Sequence, residues 1–508
     1  RQVYADIMAN INKRIDDFSL AANIGTSFSQ VYTNNAGYQG ALGDLPNVFN
    51  YYNIDKNGRD TYPLYDNSKH RVESIFASVE LGWKSMIYLT VTGRNDWDSS
   101  LLGMPDESFF YPSVGLSGVI SEMVKLPSFI SYMKVRGSFA SVGSGLTTGL
   151  TSPYSYKWDP ATGKWTTKSY KPLDNLYPER TNSWEVGLNA KFLNNKLNFD
   201  VTWYRSDTKN QTITVPLSAS SSYTEMYAQS GNVRNWGMEF ALGFHNNWGD
   251  FGWSSNLTFS FNKNEITELL DDYVASDGTH YNIDQIKKGG IDACQYILKP
   301  GGTMGDLYVT NRLKRDQEGN VWIDPDTKNV SSETLTDPEK VGSVLPDSNL
   351  GFRNDFTWKG FNLGVMLSAR FGGVVLSQTQ AIMDQYGVSE TSANLRGQGG
   401  VTVNNGLVDT QKYFSVVGGS NGVLSHYVYS ATNVRLQELS LGYTFPRKWF
   451  NDKLALNLSV VGRNLWMIYC KAPFDPESTA STGTYYQGLD YFMQPSLRNI
   501  GFSVKLQF

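Results

Sequence analysis

Ile500-Gly501-Phe502-Ser503-Val504-Lys505-Leu506-Gln507-Phe508 is the stretch on which the fold turns. Apolar residues at the even positions alternate with small or polar ones, the period-two pattern of a strand with one greasy and one wet face. Chain ends in water usually fray because they make few contacts. A sequence that finishes instead on an amphipathic strand, with an aromatic last, points to a sheet that must close. Closure matters most in lipid, where nothing satisfies an unpaired sheet edge.

The same alternation recurs upstream. Its clearest instances are Trp184/Val186/Leu188/Ala190/Phe192, Leu197/Phe199/Val201/Trp203, Trp236/Met238/Phe240/Leu242/Phe244, Trp253/Leu257/Phe259/Phe261 and Leu454/Leu456/Leu458/Val460. About 15 such segments are expected. In 434–445 the phase switches from even (Val434, Leu436) to odd (Leu439, Leu441, Tyr443, Phe445), which predicts a bulge near Gln437 and Glu438. Short connections (Arg14–Asp17, Lys84–Met86, Asn194–Lys196, Trp248–Asp250, Lys359–Gly360) alternate with long ones near 34–68, 144–178, 270–346, 381–429 and 470–495. Short turns on one side and long loops on the other characterise an outer-membrane barrel. With the short turns periplasmic, the last strand ends inside and the first visible strand starts outside. An upstream portion with an odd number of strands is therefore expected.

Composition agrees. Of 508 residues, 18% are charged and 14% aromatic, with 30 Tyr and 13 Trp. Low charge with many Tyr and Trp suits amphipathic strands between aromatic belts. The net charge of −4 offers no basic footprint for nucleic acid. No apolar run reaches the roughly 18 residues of a membrane-spanning helix.

No catalytic or cofactor-binding constellation is visible, and His70, His245, His280 and His426 lack metal-ligand spacing. Asp55–Asp60 and Asp316–Asn320 set oxygen ligands near a Gly, as a calcium loop does, but hairpin turns use the same residues and are favoured. Loop aromatics, Tyr51 and Tyr52 among them, are candidates to stack on substrate or partner; the set taken as contacts is Tyr154, Tyr156, Trp158, Trp165, Tyr485, Tyr486 and Tyr491. Packing of the loops on themselves is the competing reading. Segment 270–346 holds 13 acidic and 8 basic residues, which disfavours a highly anionic ligand. A Cys294–Cys470 disulfide is left open.

Ordered motifs carry a family resemblance over nearly the whole chain. They are Thr92-Gly93-Arg94-Asn95-Asp96-Trp97-Asp98, Tyr111-Pro112-Ser113-Val114, Lys134-Val135-Arg136-Gly137-Ser138, Pro178-Glu179-Arg180 with Trp184-Glu185-Val186-Gly187, and Gly231-Asn232-Val233-Arg234-Asn235-Trp236-Gly237-Met238-Glu239. Further on come Gly351-Phe352, Trp358-Lys359-Gly360-Phe361, Asn433-Val434-Arg435-Leu436, Gly462-Arg463-Asn464-Leu465-Trp466 and Asp475-Pro476-Glu477. In order and spacing the chain resembles the C-terminal part of the barrel of SusC/RagA-like TonB-dependent outer-membrane transporters of Bacteroidota.

The resemblance implies an all-β antiparallel transmembrane barrel of roughly 22 strands around a plug, with residues 1–508 as its C-terminal portion. The plug and about seven first strands would lie outside these residues. It implies import of oligosaccharides or oligopeptides, a SusD-like surface lipoprotein as lid, and an inner-membrane TonB complex acting through the plug. Phe502 and Phe508 resemble the terminal signal read by the insertion machinery. Two rival readings are a plugless outer-membrane assembly or adhesion component and a soluble all-β carbohydrate-binding protein.

Overall fold

A computed structural model describes the chain except residues 59–60, 105, 147–156, 160–163, 167–169, 172–176, 217–224, 275–277, 279, 479–482, 484 and 508. Fifteen strands form one curved wall: β1 (Gln2–Ile15), β2 (Phe18–Gln39), β3 (Tyr62–Trp83), β4 (Ile87–Asp98), β5 (Ser108–Val119), β6 (Ile130–Ser144), β7 (Glu179–Phe192), β8 (Leu197–Pro216), β9 (Glu225–Trp248), β10 (Phe251–Glu268), β11 (Ser348–Trp358), β12 (Phe361–Phe371), β13 (Asn433–Thr444), β14 (Ala455–Cys470) and β15 (Asn499–Gln507). Each pairs antiparallel with the next in chain order, and a two-residue strand at Tyr170–Lys171 pairs beside β9. Strand number and alternation match the sequence reading. β2 and β3 are longer than the sequence suggested. Their register runs unbroken from Phe18↔Trp83 to Gln39↔Tyr62, so the ladder continues past the apolar band and the loop shrinks to 40–61.

Connections on one side are tight. Lys359 and Gly360 both take positive φ (46° and 92°), the two-residue geometry whose twist matches the flanking strands. Asp16, Lys84, Ser85 and Asn194 adopt the same left-handed region in neighbouring turns. On the other side the connections are long. Three of them, 269–347, 372–432 and 471–498, fold into a shared canopy with small sheets and three eight-residue helices (Gln378–Gln385, Glu390–Gly397, Thr410–Val417).

The bulge falls where the phase switch put it. Against β12, Leu436 faces Leu367 and Glu438 faces the adjacent Met366, leaving Gln437 as the extra residue. The β12 register shifts at the same place, between Met366 and Leu367. If that residue were accommodated in a regular ladder instead of a bulge, the apolar sets on its two sides would face opposite ways.

β15 pairs with β14 through nine positions, from Ala455↔Gln507 to Arg463↔Asn499. β1 and β15 are the two edges of the wall, each with a single strand partner among the described residues.

Candidate substrate chamber and its framework

The two faces of the wall differ in chemistry. Directly opposed residues share a face, so cross-strand rows can be read off the register. One face carries Val201, Phe240, Phe259 and Leu350 in a row, with Trp203, Met238 and Phe261 beside it. Its large side chains are exposed: Ile24, Ile75, Leu89, Val186, Leu441, Ile500 and Val504 among them, with Phe502 at 84%. Trp97, Trp184, Trp236 and Trp466 lie toward the long-loop ends of their strands, and Trp83, Trp248 and Trp358 at the short-turn ends. On β9, Trp236 and Trp248 are twelve residues apart. At about 3.4 Å per residue and a tilt of roughly 40°, that is about 30 Å along a membrane normal, the thickness of a hydrocarbon core.

The opposite face is polar and pinned by ion pairs. Arg136 holds Asp200 through two bonds of 3.1 Å, and Asn189 Nδ2 donates to the same carboxylate at 2.9 Å. Gly187 makes room there: a Cβ on it would sit 2.7 Å from Arg136 Nε and force the side chain to shift. Arg94 Nε donates to Asp96 at 2.7 Å and its Nη2 to Ser74 Oγ at 2.6 Å, while the Tyr111 hydroxyl donates to the other Asp96 oxygen. A third chain of charges links Arg353, Asp355, Glu438 and Arg463 across β11, β13 and β14. The motifs thus become contacts. Arg94 meets Tyr111 through Asp96, and Gly187 makes room for Arg136.

Sequence reading missed the repeated Arg-x-Asp unit. Arg94/Asp96, Arg205/Asp207 and Arg353/Asp355 each bond two positions apart, as strand periodicity demands. Arg205 and Asp207 stand on the apolar face, opposite Trp236 and Arg234, and mark where the greasy band gives way to water. Beside Asp200, a trough of about 410 Å³ is lined by Glu239, Thr258, Ser260 and Asn349, an arrangement of carboxylate, hydroxyl and amide groups suited to polar ligands.

The canopy is tied to this wall by one buried arginine. Arg435, 4% exposed, donates to both oxygens of Asp475 at 2.8 and 3.2 Å. It also reaches Glu477 at 3.1 Å and the side-chain oxygens of Asn433 and Asn464. Three motifs quoted above, from β13, β14 and the last loop, converge on this guanidinium. Burial works to raise the Asp475 pKa, but Arg435, Ser496 and the Glu477 N–H together hold it below the ordinary carboxylate value.

The canopy interior is apolar. Cys294, Tyr296, Leu307, Val309, Leu376, Ala381, Phe414, Val417, Leu424 and Leu489 form one cluster drawn from all three loops. A second cluster, with Ile213, Met226, Val233 and Ile266, seats it on the upper ends of β8, β9 and β10. Tyr485 packs against both clusters and meets Tyr296 edge-on at 6.3 Å. Tyr486 and Tyr491 are exposed, the latter against Phe492. Trp158 and Trp165 occupy paired register positions in a short two-stranded sheet. Tyr154, Tyr156 and Phe508 lie outside the described residues.

The described residues of both candidate cation loops form turns; Arg59 and Asp60 of the first lie outside them. Asp55 accepts from the Asn57 N–H at 3.1 Å, and Asp316 from the N–H groups of Glu318 and Asn320 at 2.9 Å each. Cys294 and Cys470 are free thiols in separate clusters, and burial pushes Cys294 up to about 12.

A sequential antiparallel wall with an apolar belted exterior, a polar interior and long loops on one side defines an outer-membrane β-barrel protein. The chain belongs to the family described as "TonB dependent receptor-like, beta-barrel", whose model matches residues 4–465. TonB-dependent receptor P3 of Formosa agariphila is 24% identical over 98% of this chain and 51% of its own length. TonB-dependent receptor SusC of Bacteroides thetaiotaomicron is 25% identical over 54% of this chain and 27% of its own. Among solved structures, the RagAB peptide importer in its "open-open" state superposes with a TM-score of 0.77 at 17% identity, covering the whole chain and 55% of the matched one. The chain spans about half the length of the curated relatives that match nearly all of it. The soluble carbohydrate-binding reading falls with the family assignment.

Proposed function

We propose that residues 1–508 are the C-terminal wall and outer loops of a nutrient importer that takes up oligosaccharides or oligopeptides. The observation that supports this most is the pairing of a polar, ion-paired inner face with a packed canopy on the long-loop side. The similar proteins point the same way: one is a peptide importer, and others are TonB-dependent receptors. In this reading the chain is a wall and a receptor, with no catalytic role. A plug and about seven strands upstream complete a 22-stranded barrel, and the inner-membrane TonB complex drives transport through that plug. A SusD-like lipoprotein closes over the canopy. Exposed Tyr486 and Tyr491, together with Tyr154, Tyr156, Trp158 and Trp165, contact substrate or lid; Tyr485 acts indirectly, by holding the canopy on which Tyr486 and Tyr491 stand. Phe502 and Phe508 serve insertion.

Whole-cell uptake tests the reading. A deletion strain should lose uptake of one glycan or peptide pool and regain it on complementation. Unchanged uptake of both pools would overturn the importer reading and favour the plugless assembly role.

A further inference from the structure

A pocket of about 490 Å³ lies at the seam between canopy segments 269–347 and 372–432, away from the inner wall. Two cross-loop contacts frame it. The Asn404 side chain bonds the Val321 backbone in both directions, at 3.1 and 2.9 Å, and Asn311 Nδ2 donates to the Asn421 carbonyl at 2.9 Å. Its floor is apolar and buried, formed by Val309, Leu313, Val403 and Val423.

Its charges are unevenly satisfied. Arg312 is paired with Glu333 at 2.7 Å. Arg315 donates one bond, to the Gly319 carbonyl at 2.6 Å, and among the described residues has no carboxylate within 4.0 Å. Glu339 lines the same pocket with no cation within that distance among the described residues. One positive and one negative group therefore face a single cavity without neutralising each other. A simple anion would gain at Arg315 and lose at Glu339; a ligand bearing both charges gains at each, through charge-assisted hydrogen bonds.

We propose that this seam pocket binds a dipolar ligand, with its carboxylate on Arg315, its ammonium on Glu339 and its apolar part on the valine floor. Short peptides and amino-sugar acids both carry this chemistry. Binding here stands apart from the import reading, since a ligand can seat in the canopy whether or not it is later transported.

Titration calorimetry on the full-length protein in detergent tests it, with glycyl-leucine, muramic acid, N-acetyl-leucinamide and maltotriose as probes. Saturable binding of glycyl-leucine or muramic acid is expected, and the tighter of the two names the source. Arg315→Ala and Glu339→Gln should each weaken it about tenfold; both side chains are exposed, so the variants should fold. No binding by either dipolar probe, equal binding by the uncharged probes, or unchanged affinity in both variants would overturn the proposal. Uptake that fails while binding persists would count against the import reading alone.

Discussion

Arg435 shows how much a single side chain carries. It satisfies Asp475 and Glu477 in a site where its guanidinium is almost fully enclosed. Removing one partner of a buried pair leaves an uncompensated charge, at a cost of about 3–5 kcal/mol. Arg435→Ala should therefore release segment 471–498 and expose it to protease while the wall stays intact. Protease resistance equal to wild type would show that the clamp does not hold the loop. Acid should act at the same place. Asp475 has a depressed pKa in the folded protein, so its contribution is full above its ordinary value near 4 and is lost as pH falls through the depressed one. The loop should stay docked from neutral pH to about 5 and become protease-sensitive only below about 4.

Gly187 makes the same point by absence. A methyl group there meets a guanidinium already fixed by Asp200. Gly187→Ala should destabilise by about 1–3 kcal/mol, and much less in an Arg136→Ala background. Urea midpoints for the four proteins of that cycle measure the coupling, and strictly additive effects would contradict the contact. Such partnerships were only half legible. Motif order brought Arg136 and Gly187 to notice, but a sequence does not say which strands are neighbours, so their contact had to be seen.

Elements were the most legible scale, because period two is written directly in the residues. The alternation gave fifteen strands and even the bulge, since one inserted residue reverses every face beyond it. Deleting Gln437 should therefore leave Val434, Leu436, Leu439 and Leu441 in one period-two series that needs no bulge against β12. Outer-membrane yield, measured by fractionation and heat-modifiable migration, should be retained, and a collapse would mean that the bulge is not what reconciles the two apolar sets. On β15, Phe502 points outward opposite Val460, and Ser503 opposite Ser459 on the other face. Phe502→Asp puts a charge in lipid at a cost of up to a few kcal/mol, depending on depth, whereas Ser503→Asp meets a polar lumen. Comparable yields for the two would mean the faces are misassigned. The long strands β2 and β3 outrun the sequence reading because their outer halves mix polar and apolar residues without a period-two signal.

At the scale of the whole molecule, the loops are where sequence reading ran out. Canopy residues such as Leu376 and Leu424 follow no simple period, because irregular segments bury whichever side chain the tertiary fold turns inward. Hydrogen exchange should separate the two kinds of loop. Amides around Cys294–Leu298 and Leu307–Val309, inside the canopy cluster, should exchange as slowly as wall amides. Amides of 40–61 should exchange within seconds to minutes, since Phe49 and Tyr52 are exposed there and Asn53 is the one buried residue among the described residues of the loop. Fast exchange in both would mean that the canopy does not hold together in solution.

The shared canopy core also constrains how such a protein can diversify. Loops that each stood alone could be lengthened, shortened or exchanged one at a time. Here Tyr296 from one segment, Leu424 from another and Leu489 from a third fill a common interior, so a graft of any one segment from a relative strands the other two against the wrong partner. New specificity should arise by surface substitution on a fixed canopy, or by recombination that moves all three segments together with their seat on β8 to β10.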